Sequence, residues 1–508
     1  MTVTDAAPAP SARGPGLRER LPESTAVVVF VRWAFILAAT VFGFWETLVA
    51  VAREMSAGTL ISYLPAAIVL VIIAAIGVSW RRGAELPIRD RQTDVIVGAV
   101  ILLVALVMDV ANRRYSGAYL TTHIDLLALW AFVLGSCCLA FGLRPVARYR
   151  WVWLLGLIIF PVPYRLIVLS LGGSPTLAGL VMVVFGAFAT AVAVGRTAMR
   201  AFVGGCIAAA VGVLILVFLR VVFPDAAQAV LQTLPALGAA LVASALLYVD
   251  YHRRQTDSWS PLGRRLIAVS VPRFGRPALL ILVIAIAMFF VPTPAYGRWA
   301  DTYVPGLDTR PPLIVPSGWS EGAVAQYNWV SRLYGPGAVM FAQDLFQTKG
   351  SLEFDKFARS RKVVANTVET ANPLSFDVYP IFFVYDLVGA RFSAPVAVSL
   401  PHGVTGYLQT VVNDTNYLTY NRLYWSWTDG NKTQRVILIS VDNHEPDAAF
   451  PSPNVTVLRN LNTFFTVLFR GNSVTVDLEP QLKDRDLLVG LATDLIDTQV
   501  DAIDRASS

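Results

Sequence analysis

Residues 277–319 read PALLILVIAIAMFFVPTPAYGRWADTYVPGLDTRPPLIVPSGW, and the change of character within this stretch decides the architecture. Pro277 to Thr293 carries no charge and is long enough to cross a bilayer, which takes about 20 mainly apolar residues. Beyond it, Tyr303 to Trp319 holds Pro305, Pro311, Pro312 and Pro316, the composition of an extended tether. Upstream the chain is apolar and rich in Arg. Downstream it has the mixture of a soluble domain, and all five Lys lie at or after Lys349.

Working outward, the 508 residues are 55% hydrophobic and 15% charged with a mean hydropathy of +0.57, outside the range of soluble chains. The formal charge of +6 hides a split: 24 Arg face 13 acids up to Gly297, and 17 basic residues face 22 acids after it. Basicity confined to short loops between apolar runs serves membrane insertion, so a nucleic-acid partner is excluded and membrane lipids are the expected surroundings.

Nine apolar runs are long enough to span, at roughly 25–50, 57–79, 93–111, 123–142, 151–170, 173–195, 201–223, 227–249 and 277–293. With a cytoplasmic N-terminus, eighteen Arg fall in inner connections and five in outer ones (Arg53, Arg113, Arg114, Arg165 and Arg220). That bias predicts a multi-pass protein of the cytoplasmic membrane with its N-terminus inside and its C-terminal domain extracytoplasmic. The expected fold class is a polytopic α-helical membrane domain of about nine transmembrane helices followed by a soluble α+β domain. The divisions are a disordered cytoplasmic tail at 1–24, the helical domain at 25–293, the tether at 294–318 and the extracytoplasmic domain at 319–508.

Within the soluble part, a helical stretch is expected at Ala323 to Gln347, broken near Tyr334-Gly335-Pro336-Gly337. Strand-like runs follow at Lys362 to Thr370, Phe376 to Asp386, Val396 to Val412 with breaks, Leu418 to Thr428 and Thr433 to Val441. The last two flank Asp429-Gly430-Asn431, a hairpin turn because Asp-Gly takes the positive φ such turns need. After Pro480, Leu482, Leu487, Leu488, Leu491, Leu495, Ile496, Val500 and Ile503 recur at helical spacing, predicting an amphipathic C-terminal helix on the sheet.

Ionisable groups at membrane depth are costly, which makes them functional candidates. Glu46, Asp109, His123, Asp125 and Arg165 all come out near the outer ends of their spans, with Glu54, Arg113 and Arg114 in the adjoining connections. Two readings stay open: a catalytic site on the outer face, or groups solvated separately at headgroup level. Arg32, near the inner end of the first span, is expected to snorkel to the interface. In the soluble part, strand alternation sends Leu423, Trp425 and Trp427 one way and Tyr420, Arg422 and Tyr424 the other. The second face is a candidate surface for a sugar or an envelope protein, and ordinary cross-strand packing explains it as well.

No metal or cofactor is expected. The Asp442 to Asp447 turn has oxygen ligands but one His, and there is no Gly-rich phosphate loop, nucleophile elbow or H-E-x-x-H. Cys137, Cys138 and Cys206 sit in the inner halves of their spans and read as small hydrophobes.

The segment Leu127 to Arg165, LALWAFVLGSCCLAFGLRPVARYRWVWLLGLIIFPVPYR, resembles the middle of the exosortase family, with Gly142-Leu143-Arg144 at the cytoplasmic turn and Pro161-Val162-Pro163 ending the next span. The resemblance implies a cysteine transpeptidase working with Cys, Arg and His at the outer face. The family's Cys-Ser-Gly stretch is absent here, so no catalytic residue carries over and a degenerate relative is implied.

Three functions follow as expectations. The first is an envelope-assembly protein whose outward domain binds an envelope protein or glycan. The second is an enzyme acting at the outer face on a lipid-linked or protein substrate. The third, a transporter, would want polar groups or broken helices at the midplane, which the spans are read as nearly lacking.

Overall fold

The structure, a computed structural model, describes residues 25–80, 91–113, 119–254, 274–294, 302–385, 387, 390–414, 416–454, 476–477 and 479–507. The tail 1–24, Arg114 and the start of the tether lie outside these.

The membrane part begins with α1 (Thr25–Gly43) and α2 (Trp45–Ser56), a 3-10 turn (Leu60–Tyr63), α3 (Leu64–Ser79) and α4 (Arg91–Ala111). Short α5 (Tyr119–Thr122) precedes α6 (Ile124–Phe141), α7 (Leu143–Arg148), α8 (Arg150–Gly156) and α9 (Pro161–Ser170). Then come α10 (Pro175–Val194), α11 (Ala198–Val222), α12 (Gln228–Arg254) and α13 (Gly275–Phe289). Among the described residues six helical stretches are long and apolar enough to cross a membrane. Two further pairs pass the same test together but are bent, α1–α2 by 76° and α8–α9 by 69°, and α13 is a shorter apolar helix. The expectation of unbroken spans is therefore corrected.

The second bend has a local cause. Phe160 precedes Pro161, and a residue before proline is pushed out of the helical region, here to φ −76°, ψ 114°. Pro161 then starts α9 at the position where its missing N–H costs nothing. Close packing of the bundle uses small residues, as usual where lipid supplies no hydrophobic drive. A Cβ added at Gly77 would lie 2.4 Å from Ala193 Cα, so α3 and α10 touch through their backbones.

The soluble part contains β1 (Thr302–Tyr303), β2 (Trp319–Tyr327), α14 (Ser331–Tyr334), β3 (Val339–Gln347), β4 (Lys362–Thr370) and α15 (Ser375–Val378). After these come β5 (Arg391–Phe392), β6 (Val396–Ser399), β7 (Thr405–Asn413), β8 (Leu418–Thr428), β9 (Thr433–Val441) and α16 (Arg485–Ser507). One nine-stranded sheet runs β2-β3-β4-β9-β8-β7-β5, antiparallel throughout this path; β6 pairs with β7, and β1 lies parallel to the end of β8 that β7 leaves open.

Two expectations are corrected here. Ala323 to Gln347 is helical only at its middle, in a 3-10 turn (Asn328–Val330) and α14: the flanking β2 and β3 pair from Trp319↔Gln347 to Tyr327↔Met340. Phe376 to Tyr385 is not a strand, because α15 and a 3-10 turn (Ile381–Phe383) carry its apolar residues into a core instead of a ladder, and Asp386 lies outside the described residues. The tether is extended as expected but packed down, with Val304, Leu307 and Leu313 buried in the sheet's own core.

That core lies on the sheet face of Leu423, Trp425, Trp427, Val436 and Leu438, where α16 lays Leu487, Leu488, Leu491, Leu495 and Ile496. The opposite face, with Met340, Val368, Tyr420, Tyr424, Ile437 and Ile439, joins a second core that continues into Tyr63, Tyr119, Tyr164 and Ala178 of the membrane part. The sheet domain is thus seated on the bundle.

Candidate functional site

Where the two parts meet, four elements bring ionisable side chains together. The bend after α1 lets α2 lie obliquely, and its buried residues Thr47, Ala50, Val51 and Glu54 fall on one helical face. The second bend does the same for α9, which carries Arg165. Arg165 Nη2 donates to Glu54 Oε1, and Nη1 donates to the carbonyls of Leu120 and Thr121, closing the end of α5. Thr59 Oγ1 donates to the same Glu54 oxygen over 3.0 Å.

The other Glu54 oxygen, Oε2, lies 2.7 Å from His123 Nε2. His123 joins α5 to α6 in the left-handed region (φ 42°, ψ 53°), which a side-chain-bearing residue adopts only under constraint. Its Nδ1 faces Asp125 Oδ1 at 3.3 Å without an aligned hydrogen bond. Asp125 is held in turn by Tyr119 Oη at 2.8 Å and by the Leu126 N–H at 3.0 Å, at the N-terminal end of α6 where a negative charge is favoured. Glu54, His123 and Asp125 are fully buried and Arg165 is 2% exposed. One cation and two carboxylates balance only when the set holds one further proton, so a protonated His123 makes it neutral. An unbalanced charge at this depth is expensive.

The sheet domain roofs this cluster. Thr121 Oγ1 donates to Val378 O, Asn372 Nδ2 donates to Ala57 O at 3.0 Å, and α15 packs on α5.

Of the five candidates, His123, Asp125 and Arg165 converge. Asp109 is buried near the end of α4. Glu46 stands apart and exposed, accepting from the Thr293 N–H and hydroxyl. The hub is Glu54, read from sequence as part of a connection; the helical spacing of Thr47, Ala50, Val51 and Glu54 was the available signal.

Other expected residues lie elsewhere. Tyr420, Arg422 and Tyr424 share a face as expected, but that face is buried. Arg422 donates twice to Gln409 Oε1, at 3.1 and 2.6 Å, and lies over the Phe392 and Tyr424 rings, so the trio is an interior layer rather than an open surface. Arg32 does not snorkel: it is buried, donates to the Ala140 carbonyl and lies 5.0 Å from the centre of the Phe274 ring. Cys137 and Cys138 are buried and Cys206 is exposed. Cys137 lies twelve residues along α6 from Asp125, roughly 18 Å at 1.5 Å per residue. Among the described residues no three or more His, Cys, Asp or Glu gather in a metal-holding group. The Asp442 to Asp447 turn is pinned by protein instead: His444 Nδ1 is 3.2 Å from Asp355, and Asp442 accepts from Lys483 at 3.0 Å.

No protein-family model, curated protein or solved structure matches this chain.

Proposed function

We propose that this chain is an integral membrane protein of cell-envelope assembly, N-terminus in the cytoplasm, that holds its sheet domain at the outer membrane surface to engage an envelope protein or glycan. One observation carries the reading. Both His123 nitrogens face carboxylates of the protein, and Glu54 is committed to Arg165, His123 and Thr59. A general base or nucleophile needs a free, reachable atom. Here the charges tie two bent spans and α6 into one unit, and neutral hydrogen bonds from Thr121 to Val378 O and from Asn372 to Ala57 O join the roof to it, which is what a rigid seat for an outer domain requires.

The second reading, an enzyme of the outer face, draws on the left-handed backbone at His123, since strain of this kind gathers at functional sites. The cysteines favour neither: Cys137 and Cys138 lie a dozen residues or more along α6 from Asp125, and Cys206 is on α11, which carries no member of the cluster.

Thermal unfolding of the purified full chain separates the two. As a tie, His123→Asn and Glu54→Gln both lower the unfolding midpoint by several degrees. As a catalytic site, the same substitutions leave stability unchanged or raise it, because catalytic groups are held at a cost in stability. A rise would overturn the proposal.

A further inference from the structure

Where α3 and α10 end, α11 begins and α12 nears its end, a cleft of about 400 Å³ lies between the four helices. Gly173, just before α10, packs on Arg332 of the sheet domain, and α10 then runs for 20 residues, about 30 Å, to Val194 in the cleft wall. The cleft therefore lies at the membrane face opposite the sheet domain.

Its walls are apolar, with Ile73, Ile76, Val194, Val203 and Leu247 lining them and the close contact of Gly77 with Ala193 between α3 and α10. At the rim Ile76 is 44% and Met199 69% exposed, so the cleft opens on surface that bilayer hydrocarbon covers. Water gains little in such a groove, whereas an acyl chain fills it. The polar end carries one sign of charge. Arg196 and Arg200 line the same cleft, both exposed, and no Asp or Glu is among its described lining residues. Between them α11 starts at Ala198, which brings the positive end of a 25-residue helix to the same place. Trp80, just past α3, is 53% exposed, an aromatic at the level where headgroups begin. Apolar walls, an indole and two guanidiniums at the membrane surface match a phospholipid taken from its tail to its phosphate.

We propose that this cleft holds one anionic phospholipid of the leaflet opposite the sheet domain, an acyl chain against the apolar walls and the phosphate at Arg196 and Arg200. Basic pockets between spans take anionic headgroups in this way. A zwitterionic lipid offers the same chain, but its ammonium offsets the phosphate charge. The inference depends neither on the role of the buried cluster nor on what the sheet domain engages.

The test is native mass spectrometry of the full chain in a mild detergent, titrated with dioleoyl-phosphatidylglycerol or dioleoyl-phosphatidylcholine. The parent should take up one phosphatidylglycerol ahead of any further lipid, at a lower half-saturation than phosphatidylcholine. Arg196→Gln combined with Arg200→Gln should weaken that first site about thirtyfold and erase the headgroup preference. Val203→Trp, which fills the cleft and keeps both charges, should weaken both lipids. Arg144→Gln, at an exposed residue of the same membrane face outside the cleft, should change nothing. The lipid-free unfolding midpoint of each variant checks that it is folded. An unchanged first site in the double variant, or an equal loss from Arg144→Gln, overturns the Arg pair as the headgroup site. An unaffected Val203→Trp overturns the place of the acyl chain, and a parent without a preferred first lipid overturns the proposal and leaves the cleft to another segment of this chain.

Discussion

His123 Nε2 lies 2.7 Å from Glu54 Oε2 although 69 positions separate the two residues, and both are sealed from solvent. Removing one member of a buried charge set leaves its partners uncompensated, typically at about 3–5 kcal/mol. Glu54→Ala should therefore lower the unfolding free energy of the full chain by that order, with Glu54→Gln milder. Glu54→Leu combined with Arg165→Met should recover much of the loss, because an apolar pair needs no neutralisation. Chemical denaturation of the three variants in one detergent checks the ordering.

Helix contact in the bundle gives a paired prediction. At Gly77 a new Cβ would meet Ala193 backbone atoms at 2.4–2.7 Å, and the backbone cannot yield as a side chain can. Gly77→Ala should cost about 1–3 kcal/mol, the usual range for overpacking. On α16, an added Cβ at exposed Gly490 meets nothing within 4 Å. Gly490→Ala should stabilise by about 0.5–1 kcal/mol, through helix propensity alone. Opposite signs in the same melting assay are expected.

Acid should loosen the 351–361 loop first. Burial opposes the charge on Asp355, but the Phe357 N–H, Arg359 and His444 together outweigh it and hold the carboxyl at about 2. Its folded value thus lies below the unfolded value of about 3.9. The stabilisation is full above the unfolded value and disappears as pH falls through about 2. Protection of this loop against hydrogen exchange, relative to the intrinsic rate at each pH, should fall between about pH 4 and 2 in the full chain, and Asp355→Asn should leave protection low and without that pH step across the window.

Orientation is tested by fusion. Alkaline phosphatase joined after Ser508 should be active, and a fusion after Arg254 inactive, as the Arg asymmetry requires. The reverse pattern would invert the topology.

Much of the architecture was legible because it is written in local patterns. Apolar runs mark the helical stretches, and residue alternation marked β4, β8 and β9 at the bounds the structure has. The helical repeat after Pro480 likewise marked α16 and its buried leucines. The candidate site was legible in part: His123, Asp125 and Arg165 stood out as ionisable residues in apolar surroundings. Glu54 did not, because its burial depends on a 76° bend, and the helical spacing of Thr47, Ala50, Val51 and Glu54 marks a shared face without saying what covers it.

By itself the sequence determined a many-helix membrane part followed by a sheet domain, since hydropathy and periodicity act over a few residues. Only the tertiary structure decided that the two ends of Ala323 to Gln347 pair as β2 and β3, that the Tyr420–Arg422–Tyr424 face is interior, and that Glu54 joins Arg165 across 111 positions. Those outcomes turn on which partner covers each face. An alternating strand looks the same whether its polar side meets water or a membrane bundle, and an acid looks the same until a distant guanidinium reaches it.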